Sequence, residues 1–128
     1  MAGFVMICLD TNFLIRALIP GTKEALAIEQ WLGSREPLSI PAVAWYEFLC
    51  GSTEEEERLA FALLKGGILP FTPAEAQVAG SVFRSLQKPR RPRVDAMIAA
   101  TAIVAKAPLA TNNGEDFEPF IPHGLGLL

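Results

Sequence analysis

Short apolar runs alternate with longer segments of helical periodicity along this chain. The runs are too short for helices, and continuous apolar runs of this length are typical of parallel strands covered on both faces. Strands are predicted at 4–9, 38–40, 68–71 and 109–111, with a last strand at 125–128. Because they alternate with helical segments, the pattern predicts an α/β domain whose central, largely parallel β-sheet is flanked by helices.

Helix starts are marked by capping residues, prolines or acidic first turns, and helix ends by glycine or proline. The clearest start is Thr72-Pro73-Ala74-Glu75, which has a cap, a proline and a glutamate three residues after the cap. Thr22, and either Ser52 or Thr53, open two other helices. Helices are predicted over 13–19, 23–32, 41–50, 54–65, 73–86, 93–107 and 115–117.

Length and composition favour one domain with an ordinary core. The chain has 128 residues, of which 51% are hydrophobic, so we expect one domain spanning 1–128. The most apolar segment, around 96–105, covers about ten residues and is too short to span a bilayer. Cys8 and Cys50 lie in apolar runs without metal-ligand spacing, which predicts buried thiols in a reducing, cytoplasmic location.

Four acidic residues occupy unusual positions for carboxylates. Asp10 closes the first apolar run, and Glu47 is the only charged residue of its predicted helix. Asp95 opens an almost wholly apolar helix, which is expected to be buried on all sides, and Asp116 follows a turn-rich segment. The helix dipole stabilises an anion in a first turn, so Asp95 by itself also has a purely structural interpretation.

Functional groups of an open parallel sheet gather beyond the carboxyl ends of its strands. Asp10, the 111–116 loop and the start of the Asp95 helix all lie at that edge, and Glu47 can reach it. Four carboxylates in a partly apolar pocket repel one another, and a hard cation such as Mg²⁺ or Mn²⁺ relieves that repulsion. The single histidine, His123, and two separated cysteines make neither a zinc site nor a Ser-His-Asp arrangement, and the sequence has no glycine-rich phosphate loop.

Four motifs, taken together, resemble a known family. They are Leu9-Asp10-Thr11-Asn12, Glu47 in a short apolar helix, Asp95-Ala96-Met97-Ile98-Ala99-Ala100-Thr101-Ala102, and Thr111-Asn112-Asn113-Gly114-Glu115-Asp116-Phe117. In this order and spacing, over essentially the whole chain, they resemble the PIN domain, and most closely the VapC-type toxins of prokaryotic toxin–antitoxin pairs. The resemblance implies a parallel sheet flanked by helices and a Mg²⁺- or Mn²⁺-dependent endoribonuclease.

The resemblance also implies roles for particular residues. Carried over by position, the acidic catalytic site would comprise Asp10, Glu47, Asp95 and Asp116, with the three aspartates as metal ligands. Thr11 and Thr111 would supply hydroxyls, and Asn113 an amide, that orient ligands or water. Glu115 adjoins Asp116 and can take the fourth acidic role instead.

Partners follow from the same resemblance, which implies an RNA substrate, a homodimer and a small VapB-like antitoxin near the helices that carry Glu47 and Glu54. Part of the aromatic surface is expected at such interfaces, because exposed apolar patches usually mark them. The large aromatic residues concerned are Trp31, Trp45, Tyr46, Phe48 and Phe61.

A basic, proline-broken segment leads up to Asp95. It holds five of the eleven basic residues in a chain of net charge −3: Arg84, Lys88, Arg90, Arg91 and Arg93. Because an acidic site repels a polyanion, this segment can hold the RNA backbone through its phosphates. A solvated surface loop is the alternative interpretation, and the sequence leaves both open.

Other functions fit parts of the pattern. A Mg²⁺-dependent phosphatase of the haloacid-dehalogenase type also begins with a strand ending in aspartate, but it needs a second aspartate where this chain has Asn12. A receiver domain needs paired acids after the first strand and an aspartate after a middle strand, and the sequence has neither. A PIN-like RNA- or protein-binding module without catalysis stays open, although the presence of all four acids argues against it.

Overall fold

The computed structural model describes residues 6–86 and 92–128. Its strands are β1 (Ile7–Leu9), β2 (Leu38–Pro41), β3 (Gly67–Leu69) and β4 (Leu109–Ala110). All neighbouring strands pair in parallel, in the order β3-β2-β1-β4. The predicted α/β fold with a parallel sheet is therefore confirmed, while residues 4 and 5 of the first predicted strand lie outside the described residues.

Helices occupy most of the chain between the strands. They are α1 (Thr11–Ala17), α2 (Lys23–Gly33), α3 (Ala42–Gly51), α4 (Glu54–Leu63), α5 (Pro73–Ser85), α6 (Arg93–Ala105) and α7 (Gly114–Phe117), followed by a 3-10 helix (Glu118–His123). The predicted caps are confirmed at Thr22, Thr53 and Thr72, whose hydroxyls accept hydrogen bonds from backbone N–H groups of the first turn. Thr53 and Thr72 each form a reciprocal capping box with the glutamate three residues later.

The sheet is covered on both sides, as its apolar runs predict. Every residue of β1, β2 and β4 is buried, whereas β3 at one edge is half-buried. At the other edge the C-terminal segment covers β4, where Leu109 and Leu127 form a single parallel bridge. In place of the predicted last strand over 125–128, the structure has this one β-bridge.

Helix α6 packs against the sheet through small side chains, because alanines let two backbones approach closely. Its buried residues are Ala96, Ile98, Ala99, Ala100, Thr101 and Ala102. Val94 and Val104 are exposed, so the prediction that this helix is buried on all sides is wrong for one face. Lys106, in the left-handed conformation at φ 55°, ends the helix.

The two cysteines differ in their surroundings. Cys8 is buried in β1, and that burial raises its pKa to about 12, which makes it an unreactive thiol. Cys50 near the end of α3 is exposed, so the expectation that it is buried is wrong. It lies on the outer face of a helix whose buried residues are Ala44 and Phe48. In the described part of the chain, no helix combines the length and apolarity needed to cross a membrane.

Candidate active site

Asp10 stands directly after β1 and caps α1. Its Oδ1 accepts a hydrogen bond from the backbone N–H of Phe13 at 2.8 Å, and its Oδ2 accepts one from the Thr111 hydroxyl at 2.5 Å. The side chain is only 4% exposed. Burial raises the pKa of Asp10 above its ordinary value; the hydrogen bonds from Thr111 and Phe13 oppose the rise, and the charge of Glu47 adds to it. This carboxylate is thus held in one orientation at the carboxyl edge of the sheet.

Glu47 reaches the same edge from α3. The hydroxyl of Thr11, the first residue of α1, donates a hydrogen bond to Glu47 Oε1 at 2.8 Å and approaches the Ala44 carbonyl oxygen at 3.4 Å. Glu47 itself is exposed. Thr11 therefore joins α1 to α3 and holds an accessible carboxylate beside Asp10.

Asp95 lies in the first turn of α6 and is partly buried. Burial raises its pKa above the ordinary value, and the charges of Asp116, Glu47 and Asp10, in that order, raise it further. Charges act on one another in this way only when they are close. All four predicted acids consequently meet at one place in the fold.

A pocket of about 140 Å³ lies between these carboxylates. It is lined by Asp10, Thr11, Asn12, Glu47, Asp95, Ile98, Asn113, Asp116 and Phe117. Both Asp116 and the adjacent Glu115 on the short helix α7 are exposed, but only Asp116 lines the pocket. Asn113 lines the pocket, and its backbone N–H donates to the Thr111 hydroxyl at 3.0 Å. We call this cavity the acidic pocket.

The predicted basic residues are placed only in part. Arg84 at the end of α5 and Arg93 at the start of α6 are exposed, and neither lines the acidic pocket. The Arg93 guanidinium lies over the Phe83 ring, 5.5 Å from its centroid. Lys88, Arg90 and Arg91 lie outside the described residues, so their predicted contact with RNA stays a prediction.

Sequence reasoning missed some of the residues around the site. Ile98 and Phe117 form apolar parts of the pocket wall, and Asn12 adds an amide; all three belong to the motifs, but nothing in the sequence singled them out. Glu24 in the first turn of α2 is 1% exposed, although a first-turn glutamate is ordinarily a surface residue. Its Oε2 accepts from Asn112 Nδ2 at 3.4 Å, so it contacts the loop that carries Thr111 and Asn113.

The side chains that line the acidic pocket suit a divalent ion that keeps several water ligands better than one that binds only protein groups. Within residues 6–86 and 92–128, no three His, Cys, Asp or Glu side chains are grouped closely enough to hold a metal ion by themselves. Mg²⁺ needs no protein cage, since it keeps several waters and binds through one or two carboxylates. The residues present therefore fit Mg²⁺ or Mn²⁺ with water completing the coordination.

The chain belongs to the PIN domain family, whose profile matches residues 7–119. Domains of this family in toxins are generally nucleases, and nucleases of the family generally use divalent metal ions. Comparison with curated protein sequences gives no match.

Several solved structures share this fold. VapBC2 from Rickettsia felis, bound to a DNA fragment from its promoter, has a TM-score of 0.76 at 20% identity and covers 96% of this chain and 97% of its own. VapBC-1 from nontypeable Haemophilus influenzae has a TM-score of 0.71 at 23% identity, with 96% of both chains covered. A toxin–antitoxin complex from Klebsiella pneumoniae has a TM-score of 0.69 at 28% identity, covering 88% of this chain and 90% of its own.

Proposed function

We propose that this protein is a Mg²⁺- or Mn²⁺-dependent endoribonuclease and the toxin of a toxin–antitoxin pair. The observation that supports this most strongly is the acidic pocket, in which Asp10, Glu47, Asp95 and Asp116 meet at the carboxyl edge of the parallel sheet. Membership of the PIN domain family supports the nuclease class. Likeness in fold to toxin–antitoxin complexes supports the biological role.

Different residues of the chain have different roles in the proposed reaction. A divalent ion held by one or two of the aspartates Asp10, Asp95 and Asp116, with water completing its coordination, would lower the pKa of a bound water, orient it and stabilise charge on the phosphate. Thr111 and the Phe13 backbone hold Asp10 in the orientation that a ligand needs. Burial raises the pKa of both Asp10 and Asp95, and the charges of neighbouring acids add to the rise. A bound cation opposes that repulsion and therefore favours the ionised form of both carboxylates.

Glu47 differs from the aspartates because it is exposed and its orientation depends on Thr11. A carboxylate in that position can accept a proton from the attacking water. Ile98 and Phe117 add apolar wall to the pocket, which lowers the local dielectric and strengthens the interactions between charges there. Thr11, Thr111 and Asn113 then act as positioning groups, in agreement with the roles that the family resemblance implies.

A cleavage assay tests the proposed function directly. Purified protein should cut single-stranded RNA internally in Mg²⁺ or Mn²⁺, and excess EDTA should stop the reaction, since the acids alone cannot activate water. Sequencing the new RNA ends identifies the cleavage site. RNA binding without any cut in either metal would instead favour a binding module, and release of inorganic phosphate from phosphomonoesters would favour a phosphatase.

We also propose a VapB-like antitoxin as a partner, with its binding surface on α3 and α4. The side chains that support this are exposed and apolar: Tyr46 at 67%, Leu49 at 38%, Leu59 at 54% and Phe61 at 64%. The acidic first turn of α4, Glu54 to Glu57, lies at one end of the same helix pair. An apolar segment with basic residues complements this surface. Phe48, by contrast, is buried, and Trp45 packs on it with ring centroids 5.3 Å apart.

A homodimer is the second assembly that we propose. The isolated protein should elute with a mass about twice its 13.9 kDa, measured by light scattering in line with size-exclusion chromatography at high micromolar concentration. The physical reason is that several large apolar side chains stay exposed on the single chain, and exposed apolar surface of this kind usually marks an interface. A monomer mass throughout the concentration range would contradict the dimer.

A further inference from the structure

A second groove opens beside the acidic pocket, on the side of α1 and α2. Its volume is about 450 Å³, within the range of small-molecule binding sites. Asn12 and Asn113 line both cavities, so the groove adjoins the acidic pocket. A polymer bound across the acidic pocket therefore has an open path along this groove.

Two cations lie on the groove, Arg16 from α1 and Lys23 at the start of α2. The Arg16 side chain is half exposed, and its Nε donates to Glu24 Oε1 at 3.3 Å. Among the residues that the structure describes, the remaining N–H groups of Arg16 have no hydrogen-bond partner, and Lys23 has no ion-pair partner. Both side chains can therefore bind an anion that enters the groove.

The carboxylate on the groove, Glu24, forms an ion pair with Arg16, so Lys23 supplies the net positive charge of the groove. Glu24 is 1% exposed and is bonded to Arg16 and Asn112. Burial by itself would raise its pKa, but hydrogen bonds from its own backbone N–H, from Asn112 and from Arg16 bring the pKa below the ordinary value. The ion pair with Arg16 compensates the charge of Glu24, and Lys23 remains as a cation that can bind a phosphate.

The groove wall also carries amides with unused hydrogen-bonding capacity. Asn112 lines the groove, but its Nδ2 donates to Glu24 and its Oδ1 is buried. Asn12 and Asn113 are exposed at the junction with the acidic pocket. These two exposed amides can exchange hydrogen bonds with the hydroxyl and amino groups of a nucleotide.

We propose that this groove is a nucleotide subsite, which holds the RNA backbone immediately beside the phosphate that is cut. Lys23 and Arg16 contact one phosphate, and the amides of Asn12 and Asn113 contact sugar or base edges. Phosphate is the matching anion, since lysine binds it as a point charge and arginine through its planar fork of N–H groups. The inference rests on the proposed endoribonuclease function, and it adds a flank of the site distinct from the basic segment around 84–93.

Lys23→Ala tests the subsite, with Lys65→Ala as the matched control. Both lysines are exposed, but Lys65 lies between α4 and β3 and lines neither cavity. Binding of single-stranded RNA is measured in EDTA, so that nothing is cut. We expect Lys23→Ala to bind RNA several-fold more weakly and to lower the slope of log affinity against log salt by about 0.7 for each lost phosphate contact. Lys65→Ala should keep the wild-type affinity and slope.

An RNA series shortened stepwise from each end locates the contact. Shortening from one end should abolish the difference between wild type and Lys23→Ala, because it removes the nucleotide that lies in the groove. If wild type and Lys23→Ala differ in affinity by the same factor at every RNA length, Lys23 attracts RNA only in a general way. If Lys23→Ala keeps the wild-type salt slope, Lys23 makes no phosphate contact. Either result overturns the subsite but leaves the proposed function standing. If the wild type neither binds RNA nor cuts it with metal present, the proposed function fails and the subsite fails with it.

Discussion

Replacing Asp95 by asparagine should lower the rate of RNA cleavage by more than the 10- to 100-fold typical of residues that only support a metal site. The amide removes an anionic metal ligand and leaves its size unchanged. Initial rates in Mg²⁺ and in Mn²⁺, at saturating RNA, measure the loss. Glu115→Gln is the matched control: it neutralises an exposed acid that does not line the acidic pocket and should stay near the wild-type rate. If Glu115→Gln is inactive and Asp116→Asn is active, Glu115 takes the fourth acidic role.

Asp95→Asn should be at least as stable as the wild type, and the difference in stability between the two should depend on pH. The pKa of Asp95 is higher in the folded chain than in the unfolded chain, so ionisation of this group costs stability as the pH rises through the folded pKa. In metal-free buffer, Asp95→Asn should therefore melt above the wild type at pH 7. The difference should shrink as the pH falls towards about 4, the ordinary range of an aspartate. A difference that grows towards acid pH would contradict this account.

Phe120→Ala should lower the free energy of unfolding by about 3–5 kcal/mol, the usual cost of emptying a buried phenylalanine site. Phe120 is completely buried in the 3-10 helix, and its ring packs on Phe117, with centroids 6.0 Å apart. Phe117 lines the acidic pocket and adjoins Asp116. The space left by Phe120→Ala should therefore also loosen α7, the helix that carries Asp116. Chemical denaturation measures the loss.

Ile121→Ala is the control for that substitution, because Ile121 follows Phe120 in the same 3-10 helix but is 47% exposed. Its cost should stay within about 0.5 kcal/mol, as for other surface positions. Phe120→Leu leaves a smaller cavity and should fall between the two, so the effect can be measured even if the alanine variant does not fold. Equal losses for Phe120→Ala and Ile121→Ala would contradict the packing argument.

The features that could be predicted from the sequence are local ones. Thr22, Thr53 and Thr72 identify helix starts because a cap bonds to residues within its own first turn. The meeting of Asp10 with the loop after β4 also followed from the sequence, since parallel strands bring their carboxyl ends to one edge. Position relative to the strands was enough in that case, and no side-chain detail was needed.

The features that could not be predicted depend on partners far away in the chain. Glu24 is buried because Asn112, 88 residues later, and Arg16 satisfy its carboxylate, and nothing near Glu24 in the sequence signals this. The 3-10 helix after α7, which contains Pro119 and Pro122, was not predicted from the sequence. Its conformation follows from the burial of Phe120 against the rest of the core. Tertiary packing decides such segments, and local propensity does not.

The hydrogen bond from Thr111 to Asp10 joins two residues that are made at very different times during synthesis. These residues are 101 positions apart, and a ribosome adding about 5–20 residues per second needs roughly 5–20 s to make that length. For all of that time the growing chain has Asp10 without the hydroxyl that orients it, and Asp116 is made later still. Interrupted synthesis therefore leaves a fragment with an unfinished pocket, so only a chain that extends past Asp116 can hold all four acids together.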